Sequence, residues 1–265
     1  MTLREVYPNA PLASVSFELR HPESDTLTAP QRSLYKELIR KYLPVMRTQQ
    51  STVQTLEFTP AGPVPRVSTE EVPKYFDRES TISASLLKAS TIVETSQYSG
   101  WERFYEIVAA VCLARHEVVA FDGVERIGLR YVDEIRVGGT EAPDWGEYLN
   151  ASLLGPQMEH GIDLDLRQWQ GTASYGPSEG RSLVLRYTSG EGLVIDPDAE
   201  LRRKSPSFPG PFFLLDIDSF WMPAHGTPEF SETLLTSQCE MLHAPIREMF
   251  EQLITDRLRN EVLRK

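Results

Sequence analysis

Cysteine is nearly absent from this chain, with two thiols, Cys112 and Cys239, in 265 residues. Both sit inside apolar helical patterns, far apart in sequence. That excludes a small disulfide-stapled scaffold, which needs several closely spaced cysteines, and leaves two buried thiols acting as small hydrophobes. Long apolar runs are missing too. The longest near a plausible span, residues 107–114, is far short of the roughly 20 residues a membrane helix requires. The first 22 residues carry no apolar stretch behind a basic start, so no signal peptide is expected. Basic charge is in deficit, 27 Lys+Arg against 38 Asp+Glu for a net charge of −11, and so acidic a surface repels phosphate backbones. Also missing are a Walker loop and a Gly-x-Gly-x-x-Gly turn. The histidines (His21, His116, His160, His225 and His243) show no zinc spacing with one another or with cysteine. What remains, 40% hydrophobic and 25% charged, is ordinary globular composition with enough chain to bury a core. The expected location is the cytoplasm.

The apolar periodicity alternates between two and 3.6 residues. Residues 13–21 place Val15, Phe17 and Leu19 against Ser14, Ser16, Glu18 and Arg20, a half-buried strand. Thr28 and Pro30 open a helix whose stripe is Leu34 and Leu38, with Tyr35, Ile39 and Tyr42 beside them, ended by Pro44. Residues 53–58 read as a short strand, and 60–73, with four prolines, as a surface loop. Residues 81–86 and 91–95 form a hairpin. Ser99 caps a helix through Trp101, Phe104, Tyr105, Val108, Val111 and Cys112, and residues 126–135 form a strand with Ile127, Leu129, Tyr131 and Asp133 on one face.

Beyond the turn at Gly138-Gly139, residues 144–154 read as a short helix. Strands are expected at 162–169, 182–188, 193–196 and 211–220. Ser231 caps a closing helix that Pro245 interrupts, after which a second, long helix carries Ile246, Met249, Phe250, Leu253, Ile254, Leu258 and Val262 on one stripe. Strands in adjacent runs, without regular βαβ alternation, predict an α+β fold of mainly antiparallel sheet with packed helices and a long C-terminal helix. The recurring apolar-x-Leu-Arg-aromatic pattern (Phe17–His21, Ile127–Tyr131, Leu183–Tyr187, and more loosely Leu164–Arg167) leaves two organisations open: similar halves at 1–138 and 139–265, or one continuous domain.

Because strand side chains alternate, Leu and Arg of that pattern lie on opposite faces. In-register pairing therefore gathers Arg20, Arg130 and Arg186 on one sheet face. Three Asp-x-Asp pairs are candidates to meet them or a divalent cation: Asp163/Asp165, Asp196/Asp198 and Asp216/Asp218. The first lies on the polar side of an alternating strand and the second in turn chemistry. Only Asp216 and Asp218 interrupt an apolar run, and buried carboxylates must be paired. Arg20, Arg130, Arg186, Asp216 and Asp218 are thus the candidate binding residues, read first as a structural ion-pair set. Arg202, Arg203 and Lys204 are a solvated basic patch, or else a small anion or nucleic-acid contact. No metal site and no cofactor are expected.

Four segments together resemble a sporadically distributed family of uncharacterised bacterial proteins of similar length: Tyr7 to Leu12, Arg126 to Ile135 with its Gly-Leu-Arg-Tyr block, Leu215 to Phe220 with Leu-Asp-Ile-Asp, and the tail around His243, Phe250, Ile254 and Leu258. Asp133 stands where such sequences often carry Asn. The resemblance implies a bacterial, cytosolic accessory protein, as toxin–antitoxin or defence components are, and implies no activity. The residues point first to a non-enzymatic binding or interaction protein with a protein partner or self-association, and without nucleic acid or membrane. The alternative is a divalent-metal-dependent hydrolase or nuclease using Asp216 and Asp218, with Arg130 or Arg186 holding phosphate.

Overall fold

A computed structural model describes residues 7–59, 62–138, 143–156, 166–194, 199–203 and 208–265, with the backbone alone over 50–59 and 62–70. The elements are β1 (Leu12–Arg20), α1 (Ala29–Ile39), β2 (Val45–Thr59), β3 (Gly62–Phe76), β4 (Ile82–Leu86), β5 (Ser90–Thr95), α2 (Trp101–Val118), β6 (Arg126–Ile135), β7 (Trp169–Ser178), β8 (Arg181–Gly192), β9 (Gly210–Trp221), α3 (Glu232–Leu253) and the single turn α4 (Asp256–Leu258). The nine strands make one antiparallel sheet in the order β2-β3-β4-β5-β1-β6-β9-β8-β7. The expected α+β, mainly antiparallel architecture is what the chain adopts. No helix among the described residues is long and apolar enough to cross a membrane.

Alternation in sequence becomes two chemically different sheet faces. Val15, Phe17 and Leu19 of β1, Ile127 and Leu129 of β6, and Phe213, Leu215 and Ile217 of β9 are buried on the helix-covered side. Against them lie Val108, Val111 and Cys112 of α2 and Leu235, Cys239, Leu242 and Ile246 of α3. Both cysteines are buried and free. The opposite face carries the charged positions of the same strands, except Asp133 of β6, which lies on the helix-covered side.

Several local expectations need correction. Of the loop expected at 60–73, residues 60 and 61 lie outside the described residues and 62–73 are strand: β2 and β3 pair from Val45↔Phe76 out to Thr59↔Gly62. Pro63, Pro65 and Pro73 fall at even spacing, so their missing N–H groups lie along one edge of β3, which pairs with β4 only over Lys74–Phe76. Pro245 does not break the last helix. α3 runs 22 residues through it, about 33 Å at about 1.5 Å per residue. Pro245 removes one ladder hydrogen bond, but Leu242 before it and Ile246 after it are both buried, and packing holds the helix together. The break comes at Ile254, which is extended, followed by α4 and a π turn over Arg259–Leu263.

The stripe of α1 is rotated from the expected one: Tyr35 and Ile39 are fully buried, while Leu34 and Leu38 are exposed. The Tyr35 ring meets Tyr75 of β3 edge-on at 4.9 Å between centroids, which sets the face. On α2 the N-cap is Gly100 at φ 125°, not Ser99. Residues 144–154 form two 3-10 turns, Trp145–Glu147 and Ala151–Leu153. Of the strand expected at 162–169, residues 162–165 lie outside the described residues and 166–168 are not strand, β7 beginning at Trp169. Residues 193–194 are likewise not strand, and 195–196 lie outside the described residues. Thr28 and Ser231 cap as expected: the Thr28 N–H donates to Gln31 Oε1 at 2.8 Å, and Ser231 Oγ accepts from the Leu234 N–H at 3.1 Å.

Candidate functional site

On the open face of the sheet, β6, β9 and β8 run side by side with Arg130 opposite Asp218 and Arg186 opposite Asp216. The Arg130 guanidinium reaches diagonally and grips Asp216 with two bonds, Nε to Oδ1 at 2.7 Å and Nη2 to Oδ2 at 2.8 Å. Arg186 Nη1 adds a third at 3.4 Å. The Asp216 carboxylate is 6% exposed, so its two oxygens face arginine rather than water, and the bond to Asp216 holds Arg130 above its usual range. Asp218 is taken by Arg126, at 3.2 Å to Oδ1. Arg126 also binds Glu18 at 2.5 Å and lies over the Phe220 ring at 4.6 Å. Burial nonetheless pushes the Asp218 carboxyl up, with Arg126 opposing.

Of the five candidate residues, Arg130, Arg186 and Asp216 converge, and Asp218 lies beside them. Arg20 does not join them. It pairs with Glu18 at 3.0 Å and is half exposed. The arginine that serves Asp218 is Arg126, which the motif reading passed over because it begins the strand. A signal for it exists in the sequence: Gly128 follows on the same face, leaving the strand bare where the Arg126 side chain lies down. A Cβ at Gly128 would put the Arg126 Cζ only 2.8 Å away. Gly128→Ala is therefore expected to unseat Arg126 from Asp218 and cost about 1–2 kcal/mol, measured by urea unfolding; an unchanged midpoint would contradict this packing.

The pairs Asp163/Asp165 and Asp196/Asp198, with His160 and Lys204, lie outside the described residues. Arg203 is not a solvated patch: it binds Glu134 at 2.6 Å and is 17% exposed. Arg202 N–H donates to the Ser80 carbonyl at 2.8 Å, and its own carbonyl accepts from Ser96 Oγ. Among the described residues, no group of three His, Cys, Asp or Glu side chains is placed to hold a metal ion.

The helix-covered face holds a different arrangement. A cleft of about 760 Å³ opens between the N-terminal residues 7–12, the β5–α2 connection over 96–102, and α3 from His243 to Glu251, with Tyr131 and Asp133 of β6 as its floor. That volume is within the range of small-molecule sites. Its walls are aromatic. Trp101 stacks flat on His243 at 4.2 Å and 7°. Tyr98 meets Tyr131 edge-on at 5.5 Å, and the Tyr131 hydroxyl donates to that of Tyr98 at 3.1 Å. Burial, helped by Tyr98, pushes the Tyr131 phenol far above its ordinary value. Tyr7 donates to Glu251 at 3.0 Å, and Arg259 holds the same carboxylate at 3.1 Å.

Among the described residues, Asp133 stands apart from the other buried acids, Glu134 and Asp216. It is 6% exposed and has no ion-pair or hydrogen-bond partner among the described residues. Burial alone pushes its carboxyl up to about 7. Its neighbour Glu134, on the opposite face of the same strand, is bound by both Arg136 and Arg203 at 2.6 Å. Charged groups this buried are normally paired, so a carboxyl left bare at the base of an aromatic cleft is the strongest sign of a site in the molecule. Alternation placed Asp133 inward; the cleft above it, built from three distant segments, was not readable from the sequence.

No family model matches this chain, and no curated protein sequence matches it.

Proposed function

We propose that this chain is a non-enzymatic binding protein whose ligand occupies the cleft above Asp133. The observation that carries the reading is a buried, unpartnered carboxyl facing an aromatic-walled space of about 760 Å³. The open-face acids favour the same reading over a metal-dependent hydrolase. Asp216 is engaged by two arginines and Asp218 by one, so a cation would have to displace guanidinium groups to reach them, and the phosphate-binding role of Arg130 and Arg186 competes with their hold on Asp216. The proposal includes association with a partner protein or a second copy. Supporting that part, β2 and β7 are the terminal strands of the sheet among the described residues, and open strand edges are templates for pairing.

Thermal unfolding against a library of small organic molecules tests the cleft. A compound at 100 times its Kd stabilises by about 2.7 kcal/mol, several degrees for a chain of this size. Stabilising compounds are expected whose effect disappears in Trp101→Ala. A library that leaves the midpoint unmoved throughout, or shifts it equally in Trp101→Ala, would contradict the reading.

A further inference from the structure

Resting on that reading, we infer that the ligand of the cleft is an organic cation: a small molecule with a protonated amine beside a flat apolar body. The amine meets Asp133 and the body lies among Tyr98, Tyr131 and Trp101. The charges facing the cleft select this class by elimination. Glu251 is held by Arg259 and Tyr7. Arg203 is held by Glu134, and Arg247 and His243 also have partners. Glu102 lies on the exposed rim. Among the described residues lining the cleft, only Asp133 at the floor is uncompensated.

An anionic ligand would place a second negative charge beside Asp133 in a desolvated site. A neutral ligand would strip the remaining water from the carboxyl and offer at most a hydrogen bond, leaving the charge uncompensated. A cation supplies the missing charge where the low local dielectric makes the pairing strong, and aromatic faces add cation–π attraction. The net charge of −11 draws cations towards the surface as well. Because only the ionised carboxylate pairs with an amine, affinity rises with pH through the Asp133 titration and then levels off.

The test is calorimetric titration of the full chain at pH 7.5 with three probes of one shape: tryptamine (cationic), tryptophol (neutral) and indole-3-propionate (anionic). Tryptamine is expected to bind at least tenfold more tightly than either of the others, and Asp133→Asn to weaken tryptamine at least tenfold while leaving tryptophol unchanged. Because that variant removes a buried charge it remains folded, and its unfolding curve confirms this. Equal binding of tryptamine and tryptophol, or tryptamine binding indifferent to Asp133→Asn, would overturn the cationic assignment while leaving the cleft a ligand site. If none of the three binds but the compound library yields stabilisers lost in Trp101→Ala, the cationic assignment falls alone. If neither yields binding, both readings fall.

Discussion

Asp133→Asn is expected to stabilise the protein by about 3–4 kcal/mol at pH 8 and to leave stability nearly unchanged at pH 4. The sign follows from proton linkage. Burial lifts the folded-state Asp133 from its ordinary 3.8 to about 7, so between those values the folded protein keeps a proton that the unfolded chain has released. Stability therefore falls as pH rises through that window and levels off above it. The full shift corresponds to about 4 kcal/mol at about 1.4 kcal/mol per unit. Asparagine keeps the shape, carries no charge to desolvate, and removes the slope contributed by this residue. Urea unfolding of both proteins at pH 4, 6 and 8 measures the difference directly. A variant that is equally or less stable at pH 8 would mean that Asp133 is paired or well solvated. A natural chain that tolerates such a penalty is keeping the charge for something other than folding.

The second large effect has the opposite sign. Asp216→Ala is expected to destabilise the protein by about 2 kcal/mol. Removing one partner of a buried ion pair costs about 3–5 kcal/mol when the survivor is buried. Here Arg130 and Arg186 are half exposed, 52% and 46%, and water recovers part of the loss. Arg20→Ala, whose partner Glu18 keeps Arg126, is expected to cost less than about 0.5 kcal/mol. The contrast separates scaffold from catalysis. Acids held together for metal chemistry repel one another when empty, so deleting one would leave stability unchanged or raise it. A destabilised Asp216→Ala supports the structural reading of the open face, and a stabilised one would return the hydrolase to first place.

How far the chain could be read residue by residue follows from which forces act locally. β6 was legible to the residue and β1 and β9 to within a residue or two, because each alternates cleanly and buries one face. The hairpin of β2 and β3 was not, because the prolines of 60–73 look like a loop until the edge that Pro63, Pro65 and Pro73 occupy is known. Pro245 misled in the same way: its local cost is real, and the apolar contacts that outweigh it come from strands far away in sequence. The Asp216 cluster was readable from alternation plus one buried-charge argument. Arg126 required seeing that Gly128 clears space for a side chain two residues earlier. Asp133 was placed on the inward face, yet nothing local says whether an inward acid finds a partner there. That depends on residues 7–12, 96–102 and 243–251 meeting in three dimensions.

The most direct measurement is the titration of the Asp133 side-chain carboxyl, followed by carbon-13 NMR on protein labelled at aspartate and assigned by loss of the signal in Asp133→Asn. The cleft described above requires a midpoint near 7 in the free protein, moving down when saturating tryptamine places an ammonium beside the carboxylate. A midpoint near 4, the ordinary value for a solvated or paired aspartate, would show that this residue is neither desolvated nor waiting for a charge.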